Sequence, residues 1–172
     1  CNSAICEEGL RNKWGVNIGQ YLLETREKDF ITEAKATAAA GSDARMSGCV
    51  YPVVINSGSG NQGITVSVPV IVYCRRNDIP HEKLVRALAI SNLIAIHQKT
   101  RIGRLSAYCG AVNAACGAAT AITWLQGGSR EQINETITNT LATISGMVCD
   151  GAKPSCAAKI SLALEAAMMG HD

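Results

Sequence analysis

Two pairs of cysteines share one interval. Cys109 and Cys116 lie seven positions apart in SAYCGAVNAAC, and Cys149 and Cys156 repeat that spacing in CDGAKPSC, forty residues further on. Thiolates bind soft metals and iron–sulfur clusters, and the Gly and Ala around these four keep bulk away, so that a cluster, an ion or a small substrate can reach the backbone. The interval matches none of the tight zinc patterns, where two to four residues separate neighbouring ligands. If 109–116 were one helix, Cys116 would sit about 10.5 Å along its axis from Cys109, a long reach for one small cluster. Cys109 and Cys149 are therefore the first candidate ligands, with Cys156 behind them. The competing readings are small cysteines filling a helix seam, the favoured one for Cys116 and Cys156, and four thiols around one zinc.

Other residues near these words carry charge or hydrogen-bonding groups. GSGNQG (58–63) offers open amides and the side chains of Ser59, Asn61 and Gln62, a composition that suits an anion nest and equally a structural turn. No GxGxxG or GK[ST] pattern accompanies it, so a nucleotide loop is excluded. Asp150, Lys153 and Lys159 surround the second cysteine pair. Asp150 could orient a ligand or meet an ammonium, and Lys153 could serve as a base or simply be a solvated cation. Arg101 and Arg104 flank Gly103 ahead of Cys109, where a guanidinium could clamp a carboxylate. His81, His97 and His171 show no ligand spacing and read as ordinary surface or helix-end residues.

Three longer words, GSGNQGITVSVPV (58–70), GRLSAYCGAVNAACGAA (103–119) and GMVCDGAKPSCAAK (146–159), occur in an order that resembles the C-terminal half of the L-cysteine desulfidase family, itself related to the alpha chain of the iron–sulfur L-serine dehydratases. The resemblance covers residues 40 to 170. It implies an oxygen-sensitive 4Fe–4S enzyme that eliminates a β-substituent from a small L-amino acid without pyridoxal phosphate. The products would be pyruvate, ammonia and hydrogen sulfide from L-cysteine, or water in place of sulfide from L-serine. It further implies cluster ligation by Cys109 and Cys149, with the GSGNQG segment near the substrate. Members of that family have an N-terminal half with a Gly-Cys-Thr-Glu-Pro type motif, which has no counterpart here. The chain opens at Cys1 and is expected to be the C-terminal fragment of a longer enzyme, one domain over 1–172. By itself it is expected to be inactive and cluster-free, its missing half or a partner chain supplying further ligands.

An all-α domain must position these groups. Aromatic residues make up 4% of the 172 residues, while Ala, Gly, Ile, Leu and Val dominate, which favours closely packed helices over an aromatic-filled sheet. An apolar stripe predicts helix over 7–28, broken by Gly15 and Gly19, and alanine-rich sequence predicts another over 30–46 with a break at Gly41. Pro80 opens a helix running to about 99, Gly127 and Gly128 close one over 111–126, and Ser129 with Gln132 caps one to about 145. Pro154 starts a last helix, ended by Gly170. GITVSVPVIVYC (63–74) is ambiguous: its β-branched residues read as a strand, yet Pro69 suits a first helical turn. The expectation is an extended segment over 63–67 and helix over 68–76. Gly/Ala-rich helices 111–126 and 154–169 should lie at the centre.

Whole-chain properties exclude other classes. A net charge of +2 without basic runs argues against nucleic acid. No run of eighteen apolar residues suggests a membrane span, and no secretory signal opens the chain. Eight cysteines would permit four disulfides. A helical domain of this size does not need them, so reduced or metal-bound thiols in the cytoplasm are expected. The expected partners are the small amino-acid substrate, the missing half and a second copy in a homo-oligomer, and the remaining alternative is a non-catalytic helical domain with zinc-bound or free thiols.

Overall fold

The computed structural model of the protein describes residues 1–171, and among them there are eight α-helices and no strand. They are α1 (Asn2–Arg11), α2 (Ile18–Thr25), α3 (Phe30–Met46), α4 (Gly60–Arg76), α5 (His81–Ile102), α6 (Gly110–Leu125), α7 (Arg130–Ile144) and α8 (Cys156–His171). Local chemistry fixes several ends. Asp29 accepts the Thr32 amide at 2.7 Å to open α3, and the Ser129–Gln132 capping box forms as its spacing predicts. Gly103 and Gly127, both with φ of 83°, turn the chain out of α5 and α6.

Helix α6 occupies the centre. Every residue from Ala111 to Thr123 is buried, and the helix packs against α4, α5, α7 and α8. Only small side chains allow that density: a Cβ at Gly117 would collide with the Ser91 carbonyl of α5. Helix α8 is the second central element, between α3, α6 and α7, while α1 and α2 cover α3. Reversals between successive helices leave α4, α6 and α8 running the same way. At their far ends Thr123 of α6 meets His171 of α8 at 2.8 Å. At their near ends Gln62 of α4 lies on Gly110 of α6.

Four sequence expectations require correction. Residues 63–67 are helical, since α4 begins at Gly60 and Pro69 lies deep inside it. The β-branched run loses to burial: Ile64, Val66, Val68, Val70 and Val72 are all in the core, and Gly63 takes α4 so close to the Val54 carbonyl that no side chain would fit. The stripe over 7–28 does break at Gly15, as expected, but Gly19 lies inside α2 and does not interrupt it. Gly15 and Asn17 have φ of 56° and 60°, and the buried Asp43 carboxylate accepts the Val16 and Ile18 amides at 3.3 and 2.8 Å. Gly41 does not break α3. It makes room for the Cys6 sulfur, which a Cβ would strike. Helix α8 starts at Cys156, not at Pro154, and continues past Gly170.

Candidate functional site

Cys109 and Cys149 come together through the backbone. The Cys109 amide donates to Met147 O at 3.0 Å, and the Cys149 amide donates to Ala107 O at 2.7 Å. These two bonds enclose an isolated antiparallel bridge in which Tyr108 faces Val148. Side chains alternate across such a pair, so both cysteines lie on the face opposite Tyr108 and Val148. They are diagonal neighbours, a relation that sets residues about 7–8 Å apart.

The third thiol comes from α8. Cys156 is its first residue, and Lys159, three positions on, shares its face. Burial raises the Cys109 thiol above its ordinary value, the Ala111 amide at the start of α6 lowers it, and negative charge on Cys149 or Cys156 raises it further. Cys109, Cys149 and Cys156 thus share one electrostatic neighbourhood, into which Lys159 also projects. Lys159 ion-pairs with Asp150 and donates to Val148 O at 3.1 Å. Lys153 reaches the same carboxylate at 3.3 Å. Hydrogen bonds from Lys159 and Lys153 pull Asp150 down to about 2, so it is an anion throughout the neutral range. The contact with Asp150 raises Lys159 in turn.

The parallel course of α4, α6 and α8 gathers three helix N-termini here. Each contributes partial positive charge, which favours thiolates and other anions. Cys109 sits at the N-cap of α6 without capping it through its side chain. Among the described residues no three Cys, His, Asp or Glu side chains are close enough to hold a single ion. Zn–S bonds of about 2.3 Å would draw four ligand sulfurs to within about 4 Å of one another, and Cys116, buried inside α6 and hydrogen-bonded to Gln98, is not grouped with the other three. A cubane cluster is wider and accepts a looser triangle of thiolates.

Cys116 stands apart. It is buried inside α6, accepts from Gln98 Nε2 at 3.0 Å and is pushed up to about 11, chiefly by desolvation. Gln98 accepts from Asn113 at 2.9 Å, so these three residues knit α5 to α6. Cys6, pushed up to about 12 by burial, is likewise a packing residue.

Residues of the glycine-rich segment have separate duties. Ser59 caps α4 by accepting the Gln62 amide at 3.3 Å, and Asn61 accepts from Arg45 at the same distance. Gln62 is 8% exposed, and its amide rests on Gly110 beside Cys109. Its Oε1 has no hydrogen-bond partner. Arg104 is exposed in the loop before α6. It is Arg101 that lines a cavity of about 480 Å³ opening at Cys109, together with His97, Asn113, Tyr108 and Met147. Sequence reasoning missed three residues around the site. His97 was set aside for lack of ligand spacing. Arg45 reaches α4 from α3 with no local signal. Lys99, only 4% exposed, continues the four-spaced stripe Ala87, Ser91, Ala95, and that regularity was available to be read.

The family described as serine dehydratase alpha chain matches residues 1–172. A UPF0597 protein of Lachnoclostridium phytofermentans is 63% identical over 168 residues, covering 98% of this chain and 40% of the relative. UPF0597 proteins of Treponema denticola and Desulfitobacterium hafniense are 56% and 55% identical, again over 99% of this chain and 41% and 40% of theirs. The chain therefore spans about two fifths of the length of these curated relatives. No solved structure matches it significantly. No described helix is long and apolar enough to cross a membrane. The family match spans the whole length, and the chain belongs to the serine dehydratase alpha chain family.

Proposed function

We propose that this domain holds a 4Fe–4S cluster and takes part in β-elimination from a small L-amino acid, releasing hydrogen sulfide from L-cysteine or water from L-serine. The carrying observation is the pairing of Cys109 and Cys149 by two main-chain hydrogen bonds, with Cys156 at the adjoining start of α8. Three thiolates suit such a cluster, which when bound supplies a Lewis-acidic open iron. The reaction removes the α-proton and breaks the Cβ–S or Cβ–O bond. The enamine that results tautomerises, and water hydrolyses it to pyruvate and ammonia.

The chain's own residues set the surroundings of that chemistry. Lys159, held by Asp150, offsets negative charge on the thiolates. Asp150 remains ionised and so orients cations, including a substrate ammonium; a carboxylate at about 2 is a weak base at neutral pH. Lys153, on the exposed loop, is the candidate for moving the α-proton. Gln62 offers an uncommitted carbonyl oxygen beside Cys109, and Ser59 and Asn61 shape the turn that presents it. The rest of the longer protein or a partner chain supplies remaining ligands, in a reducing, cytoplasmic compartment that keeps thiolates intact. L-Serine is the second reading, favoured by the family description.

The test uses the full-length protein reconstituted with iron and sulfide under argon. Iron and acid-labile sulfide should copurify, and L-cysteine or L-serine should yield pyruvate. Cys149→Ala should lose both iron and turnover. Turnover persisting in that variant would show that the chemistry does not run through these thiols.

A further inference from the structure

We propose that the cavity beside Cys109 is the substrate pocket, and that it takes L-cysteines whose sulfur carries an apolar substituent. The inference rests on the amino-acid lyase reading and adds to it the leaving group, a thiol in place of hydrogen sulfide or water.

The cavity has a volume of about 480 Å³ and is bounded by the end of α5, the start of α6, the end of α7 and Met147. Cavities of roughly 300–1,000 Å³ hold drug-sized ligands. L-Cysteine and L-serine are far smaller and would leave most of this one to water. Its walls are mostly apolar, with Ile102, Val112, Leu141 and Met147 among them. Water against such a surface is displaced favourably by an apolar group.

The charged and amide groups gather on the α5–α6 side. Arg101 and His97, one turn apart on α5, and Asn113 of α6 all line the cavity. Among the described residues no carboxylate lines it, and Arg101 is its one permanent cation. Arg101 takes part in none of the ion pairs between described residues. Its planar fork matches a carboxylate. Asn113 is 6% exposed, and its Nδ2 donates to Gln98 at 2.9 Å. Its Oδ1 accepts from no described residue, yet it is not one of the enclosed oxygens, which belong to Ser42, Gln62 and Thr140. That oxygen is open, and an ammonium is a donor for it.

An α-amino acid carries its carboxylate and ammonium on one carbon, so its head fits the side of Arg101 and Asn113. Met147 lies across the bridge from Cys109, whose amide donates to it at 3.0 Å. With the head so placed, the substrate sulfur comes to Cys109 and its substituent to Met147 and Leu141. The flexible thioether of Met147 adapts to substituents of different shape.

The reaction balances without an added reagent. The α-proton leaves, the Cβ–S bond breaks, and its electron pair departs with the sulfur, which takes up a proton as a thiol. The enamine tautomerises and water hydrolyses it to pyruvate and ammonia.

The experiment uses the reconstituted full-length protein under argon. S-Benzyl-L-cysteine should yield pyruvate and phenylmethanethiol. Binding is read by calorimetry with two amino acids that cannot react, because carbon replaces the sulfur. L-2-Aminobutyrate is the match of cysteine, and L-2-amino-5-phenylpentanoate is the match of S-benzylcysteine. The phenyl compound should bind roughly tenfold or more tightly than aminobutyrate, as burial of its apolar surface requires. Leu141→Trp, which fills the cavity, should remove most of that preference. Leu141→Gln takes its place if the Trp variant does not melt as the wild type does. Arg101→Met should weaken both compounds alike and leave the preference standing. Equal binding of the two compounds, as when the rest of the longer protein fills the cavity, would overturn the inference. So would a preference untouched at Leu141, wild-type binding in Arg101→Met, or L-cysteine turnover with no thiol released from S-benzyl-L-cysteine. If no amino acid yields pyruvate, the lyase reading fails on its own account. The calorimetric preference then still decides the cavity: its loss in the Leu141 variant supports the assignment, and its absence from the wild type overturns it.

Discussion

Cys149 and Cys116 differ less in chemistry than in surroundings. Cys149 is exposed beside Cys109, whereas Cys116 is enclosed and already hydrogen-bonded to Gln98. Cys116→Ala should therefore keep iron and activity while costing about 1–3 kcal/mol in denaturant unfolding, because the Gln98 donor loses its partner. Cys149→Ala should do the reverse, with iron content measured after anaerobic reconstitution. Asp150 yields a pH prediction. Its folded value is about 2, below the unfolded carboxylate value, so its ion pairs contribute at all pH values above the unfolded one. That contribution disappears as pH falls from about 4 to about 2. A carbon-detected NMR titration of the Asp150 carboxyl should find its midpoint in the lower part of that window, and Lys159→Met should move it upward. Cys109 and Cys149 were legible because unusual words surround them. Cys156 was read as core filling first and a ligand second, since sequence spacing does not show that a loop folds back to α8. The uncommitted oxygen of Gln62 is not legible at all. It is defined by what fails to reach it.

At the scale of elements, close approach decides more than propensity. Gly117→Ala would raise intrinsic helix propensity, yet its new methyl meets the rigid Ser91 carbonyl, so the variant should lose about 1–3 kcal/mol. Gly110→Ala meets only the Gln62 side chain, which can swing aside. Its thermal stability should stay close to that of the wild type while KM rises, because Gln62 leaves its place beside Cys109. Thermal melts alongside steady-state kinetics separate the two cases. The break after α1 and the ambiguous run of α4 have the same origin. The break after α1 is enforced by Asp43, 27 residues away from Val16, and α4 stays helical because both flanks of a valine-rich run are buried. Capping boxes and glycine stops are local and were legible. Long-range carboxylates and interhelical seams are not.

For the whole molecule, the parallel α4, α6 and α8 matter most. They direct three N-termini at one spot, a convergence that needs the full bundle. The relatives are about two and a half times as long as this chain. The chain by itself should thus release iron faster in air than the longer protein, and should give no pyruvate. Parallel iron assays over a timed exposure to oxygen check this. If the short chain held iron as long as the full protein, the remaining portion would contribute nothing to the cluster.

The bridge between Tyr108 and Val148 also has a bearing on the order of assembly. It ties together the two ends of a forty-residue span that contains all of α6 and α7. Closing a loop of that length costs of order 3 kcal/mol in chain entropy before any contact repays it. In a nascent or partly folded chain the two thiols are therefore far apart, and they meet only once the α6–α7 hairpin has formed. On the proposed cluster reading, metal capture would be a late event, gated by a tertiary contact. Amide exchange at Cys109 and Cys149 should be slow only after that point, so these two protons can time the maturation of the site.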